Sequence, residues 1–266
     1  MSRTRGTWNT KGMWAAGVAL AAVVGLTGYA MLNGDDDSGA AAGKGSVPSS
    51  APSSFAGAVP TYQAPDDWTE PERWAALPRG ALTDIRGSRI GFPHTTEGAV
   101  AMMAAANTTD IEANRSNVDE QLRIYYSYIA KADQSSQYVE QVKSQSQQTD
   151  KSLHKEMGVS PGQALPSGAY VRSNVVGFKV IEKSSDEVSV WLLFRVTQKN
   201  GETAKEKSSY ARLVNGAVWE DGDWKLSVDV TARALKKAKT LTAPGMGAPG
   251  DAKFNDYGWT AIREAS

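Results

Sequence analysis

Two histidines and no cysteine limit the chemistry available to this chain of 266 residues. A zinc site built on histidine spacing is disfavoured when only His94 and His154 are present, and no thiol can act as a nucleophile or form a disulfide. No Gly-x-Ser-x-Gly segment precedes a predicted helix, which disfavours a serine hydrolase of that kind. We therefore predict no catalytic residue, no cofactor and no metal, and we expect a protein that is not an enzyme.

Four residues remain as candidates for a pocket or for structural roles: His94, Asp119, Tyr125 and Tyr126. His94 stands directly before a predicted helix cap, where a ring nitrogen can bond a backbone group. The same histidine would need a carboxylate partner to act as a general base. The two tyrosines fall on the predicted buried face of a helix, where a core position with a satisfied hydroxyl is the simpler interpretation.

A basic run and an aromatic tail near the end of the chain form a candidate partner surface. The run follows the last predicted strand and is either a solvated helix or a contact for phosphates of DNA or lipid. Exposed aromatic side chains are costly, so the tail is expected to fold back on the domain or to meet another subunit. The candidate residues are Arg233, Lys236, Lys237, Lys239, Tyr257 and Trp259.

Three helices are predicted in the first half of the folded region. The first is capped by Thr95 or Thr96 and carries small apolar side chains at helical spacing. The second begins near Asn117, and its predicted buried face consists of Val118, Leu122, Tyr125, Tyr126 and Ile129. The third, from about residue 134 to 157, is rich in Gln and Ser and has only a thin apolar edge, which is typical of a solvated helix or a partner surface.

From Asn174 the apolar period changes to two, which predicts four antiparallel strands. Asn200-Gly201 and Asp221-Gly222 are strong hairpin signals, and Asn215-Gly216 is interpreted as a bulge within a long strand. Trp219 and Trp224 flank the second turn and are expected to pack across the strands. Helices followed by strands predict an α+β fold.

An uncharged run of nineteen residues, Trp14 to Leu32, is long enough to cross a bilayer as a helix. Basic residues precede the run and Asp35, Asp36 and Asp37 follow it, so we predict a cytoplasmic N-terminus and an extracytoplasmic domain. A secretory signal cleaved after Ala30 is the alternative. In both cases the folded part is exported, and the expected location is the cell membrane.

These signals divide the chain into five parts. We predict a cytoplasmic tail over 1–13, a transmembrane helix over 14–32 and a flexible Pro/Gly/Ser-rich linker over 33–65. One domain follows over 66–239, and a Pro/Gly-rich tail completes the chain over 240–266. The chain carries 29 basic and 29 acidic residues, a balance that disfavours direct nucleic-acid binding driven by net charge.

The segment Val218-Trp-Glu-Asp-Gly-Asp-Trp-Lys-Leu226, placed after helices and a long curved sheet, resembles the ending of nuclear transport factor two-like domains. That resemblance implies a cone-like domain of about three helices packed on a curved four-stranded antiparallel sheet. Membrane-anchored domains of this fold include scaffold subunits of conjugation and type IV secretion channels.

Three motifs also resemble those of an uncharacterised family of membrane-anchored proteins from high-GC Gram-positive bacteria, which often accompanies integrative conjugative elements. The motifs are Gly91-Phe-Pro-His-Thr-Thr-Glu-Gly-Ala99, Trp74-Ala-Ala-Leu-Pro78 and the Asp-Gly-Asp-Trp hairpin. The resemblance implies a non-catalytic scaffold or accessory subunit of a conjugative DNA-transfer apparatus. Its expected partners are the membrane and other subunits of the envelope or the transfer apparatus. Further copies of the same chain, in a homo-oligomer, are an additional expected partner. The alternative is an exported ligand-binding protein or enzyme with a pocket inside the cone.

Overall fold

The computed structural model describes residues 68–264. The predicted cytoplasmic tail, the transmembrane helix over 14–32 and the linker over 33–65 lie outside the described residues. Between residues 68 and 264, none of the helices combines the length and the apolar character needed to cross a bilayer.

Nine strands and five α-helices make up the described fold. The strands are β1 (Trp74–Leu77), β2 (Leu82–Thr83), β3 (Arg89–Ile90), β4 (Thr109–Glu112), β5 (Ala169–Lys183), β6 (Glu187–Asn200), β7 (Lys207–Glu220), β8 (Asp223–Leu226) and β9 (Thr260–Glu264). The helices are α1 (Thr96–Ala106), α2 (Asn117–Tyr128), α3 (Ser136–Glu156), α4 (Val228–Ala238) and α5 (Ala252–Asp256).

Seven of the strands form one mixed sheet that curls into a half-barrel. The strand order is β1-β9-β5-β6-β7-β8, and β4 pairs with β5 beside this path. All pairs are antiparallel except β1 and β9, which are parallel. The separate hairpin of β2 and β3 joins Leu82 to Ile90.

The concave face of the sheet is filled by α1. Val100, Met102 and Met103 of this helix are fully buried, together with Leu192 and Phe194 of β6. The small residues of α1 let the helix lie close to the strands, as their spacing predicts. The inside of the half-barrel is therefore a packed apolar core.

A second core lies on the convex face, where α4 and the C-terminal segment cover part of the sheet. Trp191 and Leu193 of β6 meet Phe254 and Trp259 there, and all four side chains are buried. A smaller third core, around Leu153 of α3, joins the far ends of β4, β5 and β6. The C-terminal segment that the sequence assigns to a tail supplies β9, an inner strand of the sheet.

The predicted fold class, a cone of three helices on a four-stranded antiparallel sheet, is wrong. The sheet has seven strands and is mixed, because β9 inserts between β1 and β5 and runs parallel to β1. The short strands escaped prediction since four or five residues carry too little periodicity to be recognised. The three predicted helices are present as α1, α2 and α3.

The predicted bulge at Asn215-Gly216 is also wrong, since the pairing of β6 with β7 runs through both residues without a shift. A Cβ on Gly216 would lie 2.6 Å from the backbone nitrogen of Thr231. Glycine is present here because the first turn of α4 packs directly on the strand. The irregularities are in β5, between Val175 and Gly177 and between Val180 and Glu182.

Candidate functional site

Two sequence motifs meet at one end of the sheet, and we call their contact the clasp: the loop 91–98 and the hairpin of β7 and β8. The backbone N–H of Phe92 donates to Oδ1 of Asp223 at 2.9 Å. The indole Nε1 of Trp224 donates to the carbonyl of Pro93, also at 2.9 Å. Asp223 and Trp224 are buried side chains, and the hydrogen bond from Phe92 to Asp223 is shielded from water.

The residue types in the loop 91–98 follow from their position at the start of α1. Thr95 caps the helix, because its hydroxyl accepts from the N–H of Gly98 at 3.0 Å. A Cβ on Gly98 would lie 1.9 Å from the carbonyl oxygen of Pro93, which is closer than atoms can approach. The Pro-His-Thr-Thr-Glu-Gly spacing therefore sets the angle at which the chain enters α1.

His94 sits on the outer side of the clasp. Its ring stacks on Trp219 with centroids 4.0 Å apart and planes 10° apart, and it meets the edge of Trp224 at 5.5 Å. Nε2 of His94 lies 3.1 Å from Oδ1 of Asp186, in the turn between β5 and β6. Their side chains are 40% and 59% exposed. His94 thus joins the loop, the β7–β8 hairpin and the β5–β6 turn.

The carboxylate that a general base requires is therefore present, and the sequence did not reveal it. A histidine beside a carboxylate can hold or pass a proton to a bound group. Here, however, the ring is already engaged by two indoles. Ring stacking and an exposed contact with a carboxylate fit a structural role, in which the aromatic stack contributes more than the exposed polar contact does.

Asp119, Tyr125 and Tyr126 lie on α2 and serve other contacts. Asp119 forms a capping box with Ser116 at the helix start. Tyr125 is 1% exposed, and its hydroxyl donates to the carbonyl of Ser135. Tyr126, predicted on the buried face, is 42% exposed and carries the guanidinium of Arg86 over its ring at 4.6 Å. None of these contacts involves His94.

The basic run lies on α4 and is partly neutralised. Arg233 pairs with Glu187 at 2.5 Å and also with Asp229. Lys237 lies 3.6 Å from Glu182, whereas Lys236 and Lys239 are exposed. Neighbouring carboxylates raise the pKa of Arg233, chiefly through the hydrogen bond to Glu187. A continuous positive surface for phosphates is therefore not formed by this helix.

Of the two tail aromatics assigned to a partner surface, Trp259 is 1% exposed and belongs to the convex core. Its indole donates to the carbonyl of Gly245 at 2.8 Å. Tyr257 is half-buried, and its ring fills the space where a Cβ on Gly245 would stand. The tail folds back on its own domain, which leaves Trp259 no outward surface to offer a partner.

A groove of about 390 Å³ lies between the β5–β6 hairpin and α4. Its lining includes two acids, Glu182 and Glu187, and two cations, Lys183 and Arg233. Opposite charges of equal number give it no preference for the charge of a ligand. Within residues 68–264, no group of three or more His, Asp or Glu side chains is arranged to hold a metal ion.

The sequence indicated His94, Trp219, Asp223 and Trp224 of the clasp, but it did not indicate Asp186, which contacts the clasp from the β5–β6 turn. The register pairs Trp219 with Trp224 and their rings meet edge to face at 5.4 Å, which confirms the predicted cross-strand contact. Asp223 belongs to the recognised hairpin motif. Asp186 is a turn residue ninety-two positions from His94, and only the fold brings the two together.

Together, the fold and the clasp define a class of domain: a curled mixed sheet around one apolar helix, tied at one end by a loop-to-hairpin contact. A family model described as a domain of unknown function (DUF8175) matches residues 33–245. The chain belongs to this family. No curated protein and no solved structure matches it.

Proposed function

We propose that this protein is a non-catalytic, membrane-anchored scaffold or accessory subunit of a conjugative DNA-transfer apparatus similar to type IV secretion systems. Its domain stands outside the cell membrane on the linker 33–65 and acts by contacting other subunits. The uncharged run 14–32, with basic residues before it and three aspartates after it, supports this orientation.

The single observation that carries the non-catalytic part is the filled half-barrel. Sites for small molecules are concave, and the inside of a curled sheet is one place where such a pocket can form. Here Val100, Met102 and Met103 of α1 occupy that side with no exposed surface. The side chains that could carry out chemistry also make structural contacts: His94 stacks on Trp219, Tyr125 donates to a backbone carbonyl and Asp119 caps a helix.

The link to conjugation rests on the resemblance of the loop 91–98, the Trp74–Pro78 segment and the Asp-Gly-Asp-Trp hairpin to proteins that accompany conjugative elements. Two of these motifs, the loop and the hairpin, contact each other in the clasp and therefore serve the same structural role. Genes for transfer proteins beside the coding gene would strengthen the proposal.

The test combines purification with transfer. Full-length protein is isolated in detergent from donor membranes, its associated proteins are identified, and DNA transfer is measured in a strain lacking the gene. We expect transfer subunits among the associated proteins and a loss of transfer that the intact gene restores. Normal transfer together with an absence of associated proteins would contradict the proposal.

A second candidate function is favoured by one observation, the His94–Asp186 pair. In an exported enzyme or ligand-binding protein, this pair would face a bound group at the clasp. His94→Phe keeps the stacked ring and removes the proton-carrying nitrogens. Undiminished DNA transfer in this variant supports the scaffold. A variant that folds normally but no longer supports DNA transfer supports the second candidate.

A further inference from the structure

The outer edge of β7 is open along most of its length. The strand pairs with β6 from Lys207 to Val218, but on its other side β8 reaches only residues 217–220. Across residues 68–264, no strand pairs with the outer side of 207–216. An open edge of this length is a template for another strand.

The backbone groups that face outward can be identified from Gly216. Its N–H donates to Oγ1 of Thr231 and its carbonyl accepts from the N–H of Ser227, so both point away from β6. Along an antiparallel strand, the backbone N–H and C=O groups of successive residues point alternately toward one neighbouring strand and toward the opposite side. The residues whose backbone groups point away from β6 are therefore Ser208, Tyr210, Arg212 and Val214.

Arg212 carries a charge that its own domain does not neutralise. The side chain is half-buried and donates to the carbonyl of Pro244. Burial lowers the pKa of Arg212, and no carboxylate among the described residues counteracts this effect. A partly buried cation without a counterion favours a partner that brings an acidic group.

We propose that β7 pairs antiparallel with β7 of a second copy, so that the two sheets become continuous across a two-fold axis at Ser209. In this register Glu206 of each copy lies directly opposite Arg212 of the other. Axes at Ser208 or Tyr210 would instead place Glu206 opposite Tyr210 or Val214. The contact is isologous, as expected for a symmetric dimer.

The residues at the axis suit close approach. Ser208 pairs with Tyr210 of the second copy, and the two Ser209 residues face each other with small side chains. In its own copy Glu206 accepts a hydrogen bond from the hydroxyl of Tyr170 through Oε2. Its other oxygen, Oε1, is the one that meets the guanidinium. Two equivalent ion pairs then flank the axis.

Because the natural chain has no cysteine, a single introduced thiol reports the register. Residue 209 forms a non-hydrogen-bonded pair with itself, for which Cα atoms lie about 4.5 Å apart, within disulfide range. Ala211 lies two positions from the axis, so its two copies are about 13 Å apart. We expect full-length Ser209→Cys in detergent to form an oxidised dimer and Ala211→Cys to remain monomeric.

Charge reversal supplies the second readout. Glu206→Arg and Arg212→Glu, each placed in the Ser209→Cys chain, should lower the dimer yield by at least about threefold, since like charges then face each other. The double reversal should restore the yield. Circular dichroism checks that each variant is folded. Because Glu206 is exposed, Glu206→Arg changes the charge pair without disturbing the packing of Arg212.

Equal cross-linking at 209 and 211, or a folded Glu206→Arg variant with unchanged yield, would overturn the proposal. So would a monomeric Ser209→Cys chain under oxidation. This dimer does not depend on a role in DNA transfer, so a failed transfer experiment leaves the cross-linking result intact.

Discussion

At the scale of single residues, the clasp shows how an exposed histidine can be structural. His94 contributes one flat ring to a stack on Trp219, while its contact with Asp186 is open to water. Stacking between rings retains its value at a surface, whereas exposed ion pairs contribute little. The two contacts of this residue can therefore be separated by substitution.

Replacing His94 by Ala should lower the free energy of unfolding by about 1–2 kcal/mol, because both the stack on Trp219 and the contact with Asp186 are lost. His94→Phe should recover most of this loss. Asp186→Asn should cost about 0.5 kcal/mol or less. Urea unfolding followed by tryptophan fluorescence measures all three. A Phe variant as unstable as the Ala variant would show that stacking is not the main contact.

Asp84, in the turn between β2 and β3, gives a pH dependence. Burial by itself raises the pKa of Asp84, but hydrogen bonds from Ser127 and from the backbone of Ser88 and Arg86 outweigh burial and hold the pKa below its ordinary value. The lowered pKa means that the ionised form is favoured by folding. Asp84 therefore contributes stability above the pKa of an unfolded aspartate, about 3.9, which is lost as the pH falls through the folded value.

Asp84→Asn should accordingly be less stable than the natural chain at neutral pH, and the difference should shrink as the pH falls below about 4. Chemical unfolding at a series of pH values gives this comparison. Asp256→Asn, at an exposed position on α5, is the matched control. A stability difference that stays constant down to pH 2 would refute the assigned role of Asp84.

At the scale of elements, the C-terminal segment is the largest departure from the sequence-based expectation. Its five-residue strand β9 lies between β1 and β5, and Trp259, directly before this strand, is buried in the convex core. The cost of exposed aromatics correctly indicated that the segment would dock. The strand pairing was not predictable, because β1 and β9 are separated by most of the domain and each is very short.

Trp259→Ala should destabilise the domain by about 3–5 kcal/mol, since it leaves a large cavity in the convex core and removes the hydrogen bond to Gly245. Trp74→Ala is the control: its side chain is 39% exposed, and a loss of about 1 kcal/mol or less is expected. Thermal and urea unfolding distinguish the two. Equal losses would indicate that β9 is not part of the stable sheet.

Helix α2 shows a different limit of prediction. The start of α2 near Asn117 is predicted by the sequence, but the buried face of the helix includes Asn117 and Gln121 and leaves Tyr126 exposed. Asp150 of α3 accepts hydrogen bonds from the N–H groups of Asn117 and Val118, so polar contacts with another helix fix the rotation of α2. Apolar spacing alone does not contain that information.

At the scale of the whole molecule, an N-terminal apolar run and a Pro/Gly/Ser-rich segment precede one compact domain in the sequence. The domain places its apolar surface in three cores and fills its own concave side. What remains for recognition is an outer surface and the open edge of β7. These features agree with the scaffold role proposed above, in which the domain contacts other proteins through its surface.

The orientation across the membrane is the claim on which this role depends, and single cysteines in the cysteine-free chain measure it directly. The two substitutions are Ser144→Cys and Ser2→Cys. Ser144 is on the exposed face of α3, and Ser2 comes before the apolar run in the sequence. Intact cells are treated with a maleimide that cannot cross membranes. We predict labelling at 144 in intact cells and at 2 only after lysis. Protection of position 144 until lysis would contradict an external domain and, with it, the proposed function.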